Sequence, residues 1–233
     1  MTPPDKNIVV IGGESAEEMK FITPVDEYIR SLTGKFNPSV LYISTANGDD
    51  SVKITEFTEK YESAGCTVTR LAFFTAPFPC KKNVSSLVDQ ADIIYVAGGN
   101  TRAMLAVWRE FGLISFLEEA WAKGKILCGV SAGAICWFEF GHSDSGGAFA
   151  LINGIGLLPG ALCPHFNSEA GRETSFVELI CHKDIHPAYA VDDGIALHFK
   201  NGLYHTKIHN DMSCNGYEVN TQSPHVKSLC SRP

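Results

Sequence analysis

The sequence predicts an α/β fold, built on a mostly parallel, doubly wound sheet with flanking helices and with antiparallel strands at the C-terminal edge. Two observations predict it. Short, continuous apolar runs alternate with stretches of helical periodicity, the pattern of strands buried on both faces by crossover helices. After about residue 155 the pattern changes to short strands joined by tight turns.

Asn7 to Ile11 (NIVVI) is β-branched and apolar and ends at Gly12-Gly13, so it reads as a buried strand. A helical pattern follows at about 17–31. Val40 to Ser44 (VLYIS) is the second strand, closed by the turn residues Asn47-Gly48-Asp49-Asp50. The next helix covers about 51–64, and Gly65 is placed to stop it. Thr67 to Phe73 is the third strand. Ile93 to Ala97 (IIYVA) is the fourth, ending at Gly98-Gly99-Asn100-Thr101, and one long amphipathic helix is expected over roughly 101–123. Ile126 to Val130 (ILCGV) is the fifth, running into Ser131-Ala132-Gly133-Ala134 and a further helix. Residues 186–220 read as short antiparallel strands at one sheet edge. With no repeat, low-complexity tract or linker, a single domain over residues 1–233 is expected.

Composition narrows the function. With 45% hydrophobic and 19% charged residues the chain belongs with globular proteins rather than disordered ones. A net charge of −7, with 19 scattered Lys and Arg, repels phosphate backbones and argues against nucleic acid as a partner. No apolar run reaches the roughly 18 residues of a membrane span. The opening Met1-Thr2-Pro3-Pro4-Asp5-Lys6 lacks the cationic and apolar parts of a signal peptide, so a soluble, cytoplasmic protein is expected. The eight Cys form no Cys-x-x-Cys pair, which favours buried reduced thiols over disulfides or zinc.

In α/β sheets ligands bind beyond the carboxyl ends of the strands, where both Gly-rich turns fall. Gly129-Val130-Ser131-Ala132-Gly133 matches G-x-S-x-G between a buried strand and a helix-compatible stretch. A nucleophile on so sharp a turn needs small neighbours, and its hydroxyl then stands above the sheet at a helix N-terminus that favours negative charge. Serine needs a base, and the base an orienting acid. His165, in Leu162-Cys163-Pro164-His165-Phe166-Asn167, stands out among eight His because it follows an apolar segment and opens a polar one. The acid candidates are Asp144, Asp184, Asp192 and Asp193. A backbone N–H of the Gly98–Thr101 turn could join that of Ala132 to bind an oxyanion; the alternative is a plain turn capped by Asn100 or Thr101. Gly12-Gly13-Glu14-Ser15 lacks the third glycine and the lysine of nucleotide loops and is discounted.

Taken together, Ala97-Gly98-Gly99-Asn100-Thr101, Gly129-Val130-Ser131-Ala132-Gly133-Ala134, Pro164-His165-Phe166, and Asp193-Gly194 followed by Asn201-Gly202 resemble the dipeptidase E (aspartyl dipeptidase) family of serine peptidases, which includes cyanophycinases. The resemblance runs from Ile8 to about Tyr217. It implies a flavodoxin-like fold similar to the class I glutamine amidotransferases, with Ser131 as nucleophile, His165 as general base and Asp193 as orienting acid. Members usually carry Glu at that last position, so Asp192 competes with Asp193. The resemblance also implies oxyanion donors at Gly99 and Ala132, Asn100 lining the substrate site, and Arg172 pairing with the side chain of an N-terminal aspartate. It implies a short peptide as substrate and neither a metal nor an organic cofactor, and it leaves a homodimer open. Cyanophycinases usually carry Gln where Asn100-Thr101 stands. The rivals are an amidotransferase-type hydrolase using Cys128 or Cys136, and a binding protein that kept the elbow without turnover.

Overall fold

A computed structural model describes residues 3–210, 212–220 and 225–230, so Met1 and Thr2 of the polar opening lie outside the described residues. Two sheets organise the chain. The first joins β1 (Asn7–Ile11), β2 (Ser39–Ile43), β3 (Thr67–Leu71), β4 (Ile93–Val96), β5 (Ile126–Val130), β10 (Ile195–Lys200) and β11 (Leu203–His209). Its order is β11-β10-β1-β5-β4-β2-β3. The five strands from β1 to β3 in that order run parallel, and β10 and β11 add antiparallel at one edge.

Strand alternation divides the core between the two faces of this sheet. Val9, Ile11, Val40, Tyr42, Ile93 and Tyr95 face α1 (Pro24–Ser31) and α2 (Ser51–Ser63), through Val25, Ile29, Ile54, Phe57 and Tyr61. Ile8, Val10, Leu41, Ile43, Ile94 and Val96 face α3 (Lys81–Gln90), α4 (Thr101–Phe111) and α5 (Leu113–Ala122), through residues such as Val84, Met104, Trp108 and Leu117. The expected 101–123 helix is two helices, because Gly112 takes a left-handed φ of 67° and closes α4.

The second sheet was not anticipated. It joins β6 (Phe138–Ser143), β7 (Ala150–Asn153), β8 (Leu158–Cys163), β9 (Ala188–Val191), β12 (Gly216–Asn220) and β13 (His225–Ser228) in the order β13-β12-β9-β8-β6-β7. Residues 186–220 are therefore shared between the sheets and do not form one edge. Phe138, Leu158, Leu162, Tyr189 and Val191 join the core cluster of the first sheet, while α7 (Arg172–Lys183) packs Phe176 and Ile180 against Ala161, Cys163, Ala188 and Ala190. The helix expected after the elbow is the single turn α6 (Ala132–Ile135). The chain then buries Trp137 and Phe138 and continues as strand. So short a helix offers its free N–H groups but little macrodipole. Among the described residues no helix is long and apolar enough to cross a membrane.

Candidate active site

Ser131 leaves β5 with φ 53° and ψ −111°, a strained conformation for a residue with a side chain. Its N–H donates to the Ile11 carbonyl at 3.0 Å, and its own carbonyl accepts from Ala134 and Ile135. The flanking glycines are required by contact. A Cβ on Gly133 would lie 2.2 Å from the Val96 carbonyl oxygen, and one on Gly129 2.5 Å from that of Gly133. Strand, elbow and neighbouring strand thus meet at distances no side chain permits.

His165 follows β8 and Pro164, also at positive φ (54°), with Phe166 N–H held by the Val191 carbonyl at 3.2 Å. Its Nε2 lies 2.8 Å from Ser131 Oγ and its Nδ1 2.7 Å from Asp193 Oδ1. Asp193 N–H donates to Asn167 Oδ1 at 3.2 Å, which fixes the acid's backbone. Partial burial pushes the Asp193 carboxyl up, but its hydrogen bonds from His165 and Ser168 prevail and hold it below the ordinary carboxylate value. An ionised acid bonded to Nδ1 can hold an imidazole in the tautomer whose Nε2 accepts a proton from a serine hydroxyl.

Asp192, the competing acid, turns the other way. Its Oδ2 accepts from Asn215 N–H at 2.8 Å and from the Tyr217 hydroxyl at 3.1 Å. Its Oδ1 is buried without a partner, and burial raises its pKa. It ties the β9–β10 turn to β12.

The turn discounted as a nucleotide loop is part of this site. Gly12 N–H donates to the Ile195 carbonyl and Gly13 accepts from Gly194 N–H, both at 3.0 Å, so the end of β1 clasps the Asp192–Gly194 segment. A Cβ on Gly13 would stand 2.0 Å from Asp193 Oδ1 and 2.7 Å from His165 Cε1. The double glycine at the end of β1 was the available signal, but its role lies in contact with residues some 150 or more positions away in sequence.

The second Gly-rich turn is braced from below. Asn100 N–H donates to the Ala46 carbonyl at 2.7 Å, and a Cβ on Gly99, at φ 142°, would lie 2.2 Å from the same oxygen. Gly98 comes so close to the elbow that its Cβ would sit 3.3 Å from that of Ser131. Asn100 caps α4 by accepting from Ala103 N–H at 2.9 Å and reaches the Ser145 carbonyl at 3.4 Å.

A cleft of about 290 Å³ opens beside Ser131 and His165, walled by Tyr42, Phe57, Tyr95, Met19 and Val130, with Glu14, Lys53, Glu56 and Lys60 as its charged lining. Asn100 and Arg172 do not line it. Arg172 is buried, donating from Nε to Glu169 Oε2 at 2.8 Å and from a terminal nitrogen to the His142 carbonyl at 3.1 Å, with its guanidinium 4.8 Å from the Phe149 ring centre. The sulfur rivals are also placed elsewhere. Cys128 and Cys136 are fully buried, and burial pushes both thiols well above their ordinary range. All eight cysteines are free, although Cys80 and Cys230 are exposed. Among the described residues no group of three or more His, Cys, Asp or Glu side chains is arranged to hold a metal ion.

This geometry can be set beside known proteins. The model of peptidase family S51 matches residues 8–207. The chain belongs to peptidase family S51. It is 36% identical over 214 residues to the Bacillus subtilis (strain 168) protein named "Uncharacterized peptidase YgaJ", covering 92% of each chain. It is 28% identical over 141 residues to "Peptidase E" of Haemophilus influenzae (strain ATCC 51907 / DSM 11121 / KW20 / Rd), covering 52% of this chain and 61% of that one. The crystal structure of a peptidase from an acI-B1 Actinobacterium shares the fold, with a TM-score of 0.75 over 97% of this chain and 95% of that one at 17% identity. The S51 match spans β1 to β11 and so contains the elbow, His165 and Asp193.

Proposed function

We propose that this S51 member is a serine exopeptidase of short peptides that works through Ser131, His165 and Asp193. The observation that carries the reading is the continuous relay from Ser131 Oγ through His165 to Asp193, at 2.8 and 2.7 Å. Ser131 Oγ attacks the peptide carbonyl carbon as its proton passes to His165 Nε2. The carbonyl oxygen becomes an oxyanion, received by the backbone N–H groups of Gly99 and Ala132. Ala132 is the first residue of α6, so its N–H has no partner within the helix. The C–N bond breaks as His165 returns the proton to the leaving amine. Water, deprotonated by the same Nε2, then releases the acyl group and restores the serine.

Dipeptides with an N-terminal Asp are the first substrates to test. Their side-chain carboxylate needs a cation, since a buried unpaired charge is costly. The pairing of Arg172 with Glu169 makes it a poor candidate, and Lys53 on the exposed rim of the cleft is the better one. A chelator-treated dipeptide panel tests the reading. Wild type hydrolyses members of the panel with the chelator present, and Ser131→Ala does not. Equal hydrolysis by both proteins would overturn it.

A further inference from the structure

Glu14 directly follows the Gly12-Gly13 turn and shares the cleft with Ser131 and His165. Its side chain keeps 11% exposure. Behind it Lys60 of α2 and Asp26 of α1 form a closed pair, Nζ to Oδ2 at 2.8 Å, with side chains 2% and 1% exposed. Asp26 is fully engaged, accepting also from Thr23 N–H at 2.9 Å, the Thr23 hydroxyl at 2.8 Å and the Tyr61 hydroxyl at 2.6 Å. Lys60 spends a further donor on the Glu18 carbonyl at 2.7 Å and reaches Glu14 only at 3.4 Å. Two carboxylates therefore share one ammonium, and the less satisfied of the two, Glu14, stands on the cleft side. Burial pushes the Glu14 carboxyl up to about 7, against the pull of Lys60.

We propose that Glu14 receives the α-ammonium of the substrate's first residue, so that Ser131 is presented with the first peptide carbonyl and cleavage proceeds from the N-terminus. This rests on the serine-peptidase reading above and adds to it the group that sets the register. One Cα separates an α-ammonium from the first carbonyl, so anchoring the ammonium fixes how much chain enters. A cleft of about 290 Å³ suits a single residue, whose side chain meets Tyr42, Phe57 and Tyr95. A lysine side chain would bring the same ammonium from another source, and the test separates the two.

The test measures kcat/KM for one short peptide with its N-terminus free and with it acetylated, alongside an acetylated peptide whose first residue is lysine. In wild type, acetylation lowers kcat/KM by about 10- to 150-fold, the range of a charge-assisted hydrogen bond. The acetylated lysine peptide is as poor as the other acetylated one. Glu14→Gln lowers the rate on the free peptide and brings the free-to-acetyl ratio close to one, while Glu14→Asp recovers part of the ratio. Three results overturn the proposal: equal rates on free and acetylated peptides in wild type, a wild-type ratio in Glu14→Gln, or efficient cleavage of the acetylated lysine peptide. Stoichiometric fluorophosphonate labelling of Ser131 reports that the variant is folded, and if it is not, the wild-type comparison still decides. Failure of the underlying reading shows separately, as an unlabelled Ser131 in wild type.

Discussion

Gly13→Ala is the most informative small change, because it adds one methyl group against the back of the His165–Asp193 pair and removes nothing. The new Cβ would lie 2.0 Å from Asp193 Oδ1, 2.6 Å from its Cγ and 2.7 Å from His165 Cε1. Non-bonded carbon and oxygen atoms settle near about 3.5 Å, so the carboxylate and the ring must retreat by about 1 Å or more. Both relay hydrogen bonds, at 2.7 and 2.8 Å, have little room to lengthen before they fail. A misplacement of about 1 Å at reacting groups costs about 10²-fold in rate. Gly13→Ala is therefore expected to lower kcat/KM on the best dipeptide about 100-fold or more, mostly in kcat. Circular dichroism and the urea midpoint report whether the fold persists, and the unfolding slope should be unchanged. A folded Gly13→Ala protein within threefold of wild type would refute the assignment of His165 and Asp193 to the relay.

Two other predictions concern carboxylates in and beside the relay. Asp193→Asn is expected to lower kcat by about 10³- to 10⁴-fold, because an amide no longer holds the imidazole tautomer, while Asp192→Asn costs at most about 10-fold; steady-state kinetics of the pair checks this, and the reverse order contradicts it. Glu14→Gln is expected to alter stability in one direction with pH. The folded carboxyl titrates near 7 against an ordinary 4.5, with Lys60, Asp26 and Glu18 the charges that act on it and Lys53 and Glu56 across the cleft. Between those values the folded state binds more protons than the unfolded one, so wild-type stability falls as pH rises from 4.5 toward 7 and then levels. The Gln variant is thus more stable than wild type at pH 8, by on the order of 1–3 kcal/mol, and the difference vanishes below the ordinary carboxyl pKa. Urea titrations at pH 8 and pH 5 check it, and an equal difference at both contradicts it.

What could be read from the chain and what could not follows from the range of each signal. The parallel strands were legible because NIVVI, IIYVA and ILCGV are continuous apolar runs that only a sheet covered on both faces explains. The elbow was legible because G-x-S-x-G stands between an apolar run and a helix-compatible stretch adjacent in sequence, although the carbonyl that excludes a side chain at Gly133 belongs to Val96 of the neighbouring strand. The second sheet escaped because β6 to β9 are only four to six residues long, and Phe138-Glu139-Phe140 alternates too briefly beside the helix-compatible elbow. Gly12-Gly13 was visible but misjudged. Phosphate loops use glycine for backbone approach to a ligand, whereas here the missing side chain makes room for the protein's own histidine and acid. Lys60 had a signal that went unread. It shares the helical face of Phe57 and Tyr61, where a charge is out of place unless paired, and its partners Asp26 and Glu14 lie 34 and 46 positions away. For Arg172 the sequence shows a cation in a plausible segment but not that its guanidinium pairs with Glu169 three positions earlier.

The central claim is that Ser131 is made nucleophilic by His165. Intact-protein mass spectrometry after treatment with a fluorophosphonate tests it most directly. One adduct per chain is expected, mapped to Ser131 and lost in His165→Ala. An adduct that forms as fast without the imidazole, or one that maps to another residue, would contradict it.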